Sequence, residues 1–363
     1  MTVGVVIGKF LPPHAGHLHL CREARARCDR LYVLVCTLTT EPIDGALRAG
    51  WMRDELPDCD VIHVARDVPQ APSEHPRFWQ IWRALIVSAL PEPADVLFSS
   101  EAYGWTLGPV IGATHVAIDP PRTAFPVSGT AVRADPIGQW AYLPRSVRPY
   151  FVRRVVLTGP ESCGKTTLAA RLAARFETVW VPEFARGYLD RVNPTRTIDG
   201  ICLESDLAPI ARGQIASEDA LAAEANRVLI CDTDPRVTTI YAHHYFGRVA
   251  PELDALADRP YALHLLLTPE VPWVADPQRD RPEARAEMFT AFTAAYAAVG
   301  ARVVPIGGGD YAAREEAAIA AISALLAAPY RDFGAAGGAG GGGVAGGAAG
   351  GPSEARVQPA SKP

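Results

Sequence analysis

Toward the N-terminus the apolar residues fall in short unbroken runs, Val3 to Ile7, Leu31 to Thr37, Val61 to Ala65, Val96 to Ser99 and His115 to Ile118. Runs of that length without polar alternation predict strands buried on both faces. Helical stretches from about Gly16 to Arg30 and around Phe78 to Leu90 lie between them. The alternation is that of a parallel sheet with helices on both faces.

The pattern restarts after a Pro- and Arg-rich passage, Leu143 to Arg154, which places a boundary near residue 150. Strands are expected at Val155 to Thr158, Val179 to Pro182, Val228 to Asp232, Leu263 to Thr268 and Arg302 to Ile306, separated by helical segments. The fold class is therefore α/β, with two doubly wound parallel-sheet domains. Their expected extents are 1–148 and 149–333, followed by a tail over 334–363 that contains 11 of the 31 glycines and offers little to bury. That tail is expected to be a disordered coil without catalytic residues.

Composition narrows the class. With 363 residues, 48% of them hydrophobic and 21% charged, the chain can bury two cores. A net charge of −5 argues against a nucleic-acid partner. Seven cysteines, scattered and odd in number, fit reduced thiols in a cytoplasm rather than a disulfide or zinc framework. No apolar run reaches the roughly 18 residues of a membrane span.

Basic residues point to the chemistry. Of 35, only Lys9, Lys165 and Lys362 are lysine, and the first two each follow a glycine just beyond a strand-like run. A compact ammonium binds phosphate differently from a guanidinium. Gly159-Pro160-Glu161-Ser162-Cys163-Gly164-Lys165-Thr166, continuing to Thr167, fits the G-x-x-x-x-G-K-[ST] phosphate loop. Its amides and the following helix start would cradle phosphates, Lys165 would reach the β and γ phosphates of ATP, and Thr166 would hold Mg²⁺. The competing reading is an ordinary turn.

Glu183, Asp232 and Asp234 should stand at the carboxyl edge of the same sheet, where one carboxylate can accept a hydroxyl proton and another can organise the metal. Glu183 paired structurally with Arg186 is the alternative. Arg279, Arg281 and Arg285 could close on a transferring phosphoryl group or form a solvated face, and Trp273 could stack on a flat ring or be core.

The first-half loop, Gly8-Lys9-Phe10-Leu11-Pro12-Pro13-His14-Ala15-Gly16-His17, also joins a strand to a helix. His14 and His17, one helical turn apart at a helix start, would face an anion where an α-phosphate is attacked and pyrophosphate leaves. A zinc site is the rival, although no third ligand is evident. His19 reads as an ordinary helix-face residue. Ser128, Gly129, Thr130 and Arg133 form a companion segment that could contact phosphate or simply cap a helix.

The G-[KR]-F-x-P-x-H-x-G-H loop with a later [IV]-S-G-T-x-[IV]-R resembles the nucleotidylyltransferase superfamily. Glu183-Phe184-Ala185-Arg186, Asp232-Thr233-Asp234 with Thr238-Thr239, Tyr245-Phe246-Gly247 and Pro272-Trp273 with Arg279-Asp280 resemble the ribosylnicotinamide kinase half of the bifunctional NadR family. Ser99 to Gly104 and Asp119 to Arg122 look like further segments of its transferase half. The likeness covers about residues 3 to 330. It implies a Rossmann-like HxGH nucleotidyltransferase followed by a P-loop kinase, with ATP as co-substrate and Mg²⁺ as metal.

The implied reactions are phosphorylation of nicotinamide riboside to nicotinamide mononucleotide (NMN), then adenylyl transfer to NMN, giving NAD and pyrophosphate. The resemblance implies Lys165, Glu183 and Asp232 as kinase catalytic groups, with Thr166 and Asp232, or alternatively Asp234, for the metal, and with Glu183 as base and Asp232 as the alternative base. Asp234, Trp273, Arg186, Arg279 and Arg281 would bind substrate. His14, His17 and Lys9 would act in the transferase, with Gly8, Phe10, Ser128, Gly129, Thr130 and Arg133 at the ATP.

A helix-turn-helix segment, found ahead of the transferase in the family's repressor form, is not expected here. Between Trp273 and Arg279 the run Val274-Ala275-Asp276-Pro277-Gln278 replaces the family's usual Asp-Gly and leaves the role of Asp276 open. Two other readings remain: a phosphopantetheine- or cytidylyl-type transferase fused to another kinase, and an NAD- and ATP-sensing regulator acting through a partner such as a transporter. Homo-oligomerisation is left open.

Overall fold

The apolar runs become two five-stranded sheets in a computed structural model that describes residues 1–192, 202–276, 278–279 and 282–330. The first holds β1 (Val3–Gly8), β2 (Arg30–Thr37), β3 (Asp60–Ala65), β4 (Val96–Ser99) and β5 (Thr114–Ala117) in the order β3-β2-β1-β4-β5. The second holds β6 (Arg153–Thr158), β7 (Trp180–Val181), β8 (Val228–Asp232), β9 (Leu263–Leu267) and β10 (Val303–Ile306) in the order β10-β9-β6-β8-β7. Every named pairing is parallel.

Each sheet reverses strand order at its first strand. β1 lies between β2 and β4, and β6 between β8 and β9. A crevice opens at the carboxyl ends on either side of such a strand, because the connections leave in opposite directions. The two glycine-rich loops follow β1 and β6.

Two differences from the sequence expectation have local causes. The run Val179 to Pro182 pairs only at Trp180–Val181, where the strand precedes a helix over Phe184–Val192. A helix over Gly45–Glu55 goes unrecognised in the pattern because two glycines and a buried arginine interrupt its apolar face. Asp44 starts it by accepting a hydrogen bond from the Leu47 amide at 2.9 Å, which satisfies one of the free donors of the first turn.

The Pro- and Arg-rich passage is anchored by apolar residues. Trp140, Leu143, Val147, Phe151 and Val152 join Trp51 of the first half with Val156, Val181, Ala222 and Leu229 of the second in one buried cluster. Both sheets accordingly lie in one contact-linked unit, Met1–Arg331. Among the described residues no helix is long and apolar enough to cross a membrane, and none of the seven cysteines is in a disulfide.

Candidate active sites

The loop after β1 borders a cavity of about 890 Å³. His14 is the N-cap of the helix Ala15–Arg25, and the next turn brings His17 beneath it with ring centroids 3.7 Å apart and planes 24° apart. Phe10 is buried and meets the edge of His17 at 5.0 Å, which fixes the lower ring. A side chain at Gly16 would press its Cβ to 3.2 Å from the His14 ring, so glycine permits the stack.

Burial, with Arg122 next in importance, lowers the His14 pKa to about 4. His17 is also held well below its ordinary value by burial, then by His14 and Arg122. At neutral pH both rings are therefore uncharged N–H donors. The Nδ1 atoms of both are buried without a hydrogen-bond partner. Two orphaned ring nitrogens beside a cavity are a place for ligand oxygens.

The Ser128 segment closes on this loop. Ser128 caps the helix Gly129–Ala134 by accepting from the Ala131 amide at 3.1 Å. Arg133 donates to the Leu11 carbonyl at 2.5 Å and to the Thr130 hydroxyl at 3.2 Å. At Gly129 an added Cβ would lie 2.7 Å from the Leu11 carbonyl oxygen, so the two motifs meet because position 129 has no side chain. Gly8, Lys9, Phe10, His14, His17, Ser128, Gly129, Thr130 and Arg133 all line the one cavity.

The sequence reading gave no individual role to part of that lining. Arg122 contributes a guanidinium, paired with Glu101 at 3.1 Å, and Asp119 folds the turn that contains it by accepting from Thr123 and Ala124. Trp79 and Trp82 from the helix Phe78–Ala89 supply aromatic surface. His19, on the helix Ala15–Arg25, also lines the cavity, tilted against Phe125 at 5.5 Å. The zinc alternative finds no cluster of three ligating side chains among the described residues. Stacked rings do not converge their nitrogens on one ion.

The loop after β6 is different in kind. Gly164 has φ of 87°, which turns the chain into the helix Lys165–Arg175. The Lys165 ammonium donates to the carbonyls of Gly159 at 2.9 Å and Pro160 at 2.8 Å. Burial disfavours its charge, but Cys163, Glu183, Asp232 and Glu161 outweigh that and raise its pKa. It is a permanent cation. Thr166 donates its hydroxyl to Asp232 Oδ2 at 2.5 Å, while Asp232 Oδ1 is buried without a hydrogen-bond partner. Burial, then the charge of Glu183, pushes Asp232 up to about 6.

This arrangement suits Mg²⁺. A hydroxyl and a carboxylate with a spare oxygen supply few protein ligands, as expected for an ion that is completed by phosphate oxygens and water. Thr167, Ser162, Cys163, Glu183, Arg186, Asp234, Arg279 and Tyr245 line the adjoining cavity of about 200 Å³, with Gln214 and Tyr241 added by the fold. Arg314, buried and overlooked in sequence, donates to the Cys163 carbonyl at 3.2 Å and the Thr268 carbonyl at 2.9 Å. It ties the phosphate loop to the end of β9.

Three expectations change here. Arg186 pairs with Asp276, at 2.9 Å, instead of Glu183, which gives Asp276 a role and leaves Glu183 on the cavity wall. Burial opposes ionisation of Asp276, but the Gln278 amide and Arg186 hold it below its usual range. Asp234 faces the cavity with its carboxylate already engaged: it caps the helix Pro235–Phe246 at Val237 and accepts from Tyr296 at 2.9 Å, with His264 at 3.2 Å. Trp273 does not join the described lining; it is half-buried, with the Arg285 guanidinium 5.9 Å from its ring. Arg279 reaches Ser162 at 3.5 Å, and Arg281 lies outside the described residues.

Residues 154–314 match a family model described as an AAA domain. The chain is 32% identical over 293 residues to the trifunctional NAD biosynthesis/regulator protein NadR of Escherichia coli strain K12, covering 76% of this chain and 71% of that protein. The corresponding Salmonella typhimurium protein is 31% identical over the same length and shares. Among solved structures, a NadR protein in complex with NR superposes with a TM-score of 0.75 at 22% identity, over 90% of this chain and 96% of that one. A NadR protein in complex with NAD and AMP-PNP gives 0.74 at 22%, over 91% and 98%. The two switch-point sites and this extent of sequence identity together establish that the chain belongs to the NadR family of NAD biosynthesis proteins.

Proposed function

We propose that the chain makes NAD in two ATP-dependent steps, with residues 149–333 acting as ribosylnicotinamide kinase and residues 1–148 as NMN adenylyltransferase. The observation that carries this reading is the presence, in one chain, of two differently equipped phosphate loops, each at the switch point of its own sheet. The NadR proteins crystallised with NR and with NAD and AMP-PNP, whose fold this chain shares, supply the substrate class.

In the kinase step the riboside 5′-hydroxyl attacks the γ-phosphorus of ATP, and ADP leaves. Glu183 takes the hydroxyl proton, because Asp232 is committed to Thr166 and the metal side of the loop. Bound Mg²⁺, held by Thr166 and Asp232, would neutralise charge on the phosphates. Lys165 supplies fixed positive charge, and Arg279 approaches from the loop above Ser162.

In the transferase step a phosphate oxygen of NMN attacks the α-phosphorus of ATP, and pyrophosphate leaves. The attacking oxygen is already an anion at neutral pH, so no base is required. The work is positioning and charge stabilisation: His14 and His17 donate as neutral imidazoles, Lys9, Arg122 and Arg133 carry charge, and Ser128 and Thr130 add hydroxyls to the lining. The aromatic surface of Trp79 and Trp82 suits a flat nicotinamide ring.

The test is incubation of purified protein with nicotinamide riboside and Mg-ATP, with chromatography of NMN, NAD and pyrophosphate. Wild-type protein should yield NAD. Lys165→Ala should stop before NMN, and His17→Ala should accumulate NMN, each with a loss of about 10²- to 10³-fold in its own step. Binding of both nucleotides without any product would replace this reading with a sensor.

A further inference from the structure

Lys9 is gripped at two points by residues outside the motif. Its main-chain carbonyl accepts from Arg48 Nη1 at 2.7 Å, and its ammonium lies 3.1 Å from Glu41 Oε1. The two gripping residues also bind each other, Arg48 Nη2 to Glu41 Oε2 at 2.5 Å. Glu41 Oε2 accepts in addition from the Leu38 amide at 3.1 Å, and Arg48 Nε faces the Asp44 carbonyl at 3.4 Å.

Their burial is unusual for such groups. The Arg48 side chain is 0% exposed and that of Glu41 is 7% exposed, whereas Lys9 is 45% exposed and lines the 890 Å³ cavity. A buried ion pair contributes little net stability, since desolvation offsets the attraction, so stability alone does not account for it. Its charges cancel internally and leave one net positive charge, carried by the exposed member at the cavity wall. The helix Gly45–Glu55 that supplies Arg48 is itself fixed by Trp51, which packs on Tyr150 at 5.6 Å.

We propose that Glu41 and Arg48 are positioning residues for adenylyl transfer, forming a clamp that sets the main chain of Lys9 and aims its ammonium at the triphosphate of ATP. The inference rests on the adenylyl-transfer reading of this cavity. Arg48 fixes where the Lys9 stem begins, and Glu41 limits where the ammonium can be. Lys9 therefore starts each cycle near its working position instead of sampling solvent, which lowers the entropic part of the barrier.

The test is a double-mutant cycle in the full chain, supplied with NMN and Mg-ATP, using Lys9→Met, Glu41→Gln and their combination. Glu41→Gln keeps the shape and the acceptor for the Leu38 amide. It should lower kcat for NAD formation about tenfold, with KM for NMN unchanged, and Lys9→Met should lower it about 100-fold. In the Lys9→Met background Glu41→Gln should add nothing, because its only route to the reaction is gone. Kinase turnover of nicotinamide riboside by the same molecules checks the fold without depending on Arg48→Met, which could unfold the half. Wild-type NAD formation combined with a silent Glu41→Gln, or with additive losses, overturns the clamp alone. Wild-type protein that makes no NAD from NMN overturns the functional reading and the clamp with it.

Discussion

The loops after β1 and β6 occupy the same place in their sheets and follow the same strand-loop-helix plan, yet they handle charge in opposite ways. The first presents two uncharged imidazoles stacked over a wide cavity, with cations at its edges. The second surrounds a half-buried ammonium with acids beside a narrow cavity. Under the two proposed reactions, the attacking groups account for the contrast. A phosphate anion needs donors and no base, whereas a hydroxyl needs a carboxylate to take its proton and a cation to restrain the phosphates. Position in an α/β sheet thus selects phosphate as the ligand, and the side chains select which phosphorus reacts.

Removing the charge of Asp232 should break that contrast most severely. Asp232→Asn retains an acceptor for Thr166 at 2.5 Å but loses the anion on the metal side. Kinase turnover should fall about 10³-fold while adenylyl transfer from supplied NMN stays within about twofold. Parallel loss of both activities would show that the two loops do not work independently. Steady-state assays of the separate reactions suffice.

A geometric change in the first site comes next in size. In Gly129→Ala the new methyl would meet the Leu11 carbonyl at 2.7 Å and Arg133 Nη1 at 3.3 Å, so the two motifs must separate. A displacement approaching 1 Å in a site that works by alignment costs roughly 10²-fold in rate, here in NAD formation from NMN only. Kinase turnover at wild-type level would confirm that the loss is local. Full adenylyl transfer by this variant would mean that contact between the loop and the Ser128 segment is unimportant.

How readily each part is read from sequence follows from the range of its interactions. The strands are legible because parallel strands buried on both faces read as continuous apolar runs, and both loops because glycine, lysine and histidine stand at fixed short spacing. The helix Gly45–Glu55 escapes because Arg48 occupies its buried face, where charge is read as solvent-facing. The partner of Arg186 escapes because Asp276 is 90 positions away, and a nearby Glu183 is the tempting choice. Asp234 misleads for a related reason: its cap is local, but Tyr296 and His264, which occupy its oxygens, lie on other elements. Residue type and spacing disclose what a loop binds, while the side chains that hold it in place come from distant segments.

The smallest expected effect, and the one that most sharpens the contrast between the loops, is in pH. Asp232 is pushed up to about 6, so acidification through that value places a proton on the carboxylate that the proposed kinase step needs as an anion. Kinase kcat/KM should therefore fall as pH drops, about tenfold per unit below about pH 6. His14 is lowered to about 4 by burial and Arg122, and His17 lies well below its ordinary value, so both rings stay neutral through the same range. Adenylyl transfer, followed from supplied NMN, should then show no histidine titration between about pH 8 and about pH 5 beyond the second ionisation of the NMN phosphate itself, at about 6. A loss of adenylyl transfer as pH rises through the ordinary histidine value would mean that the rings work as imidazolium. In that case the first loop would resemble the second in relying on fixed charge, and the neutral stack would be a resting arrangement that ATP rearranges.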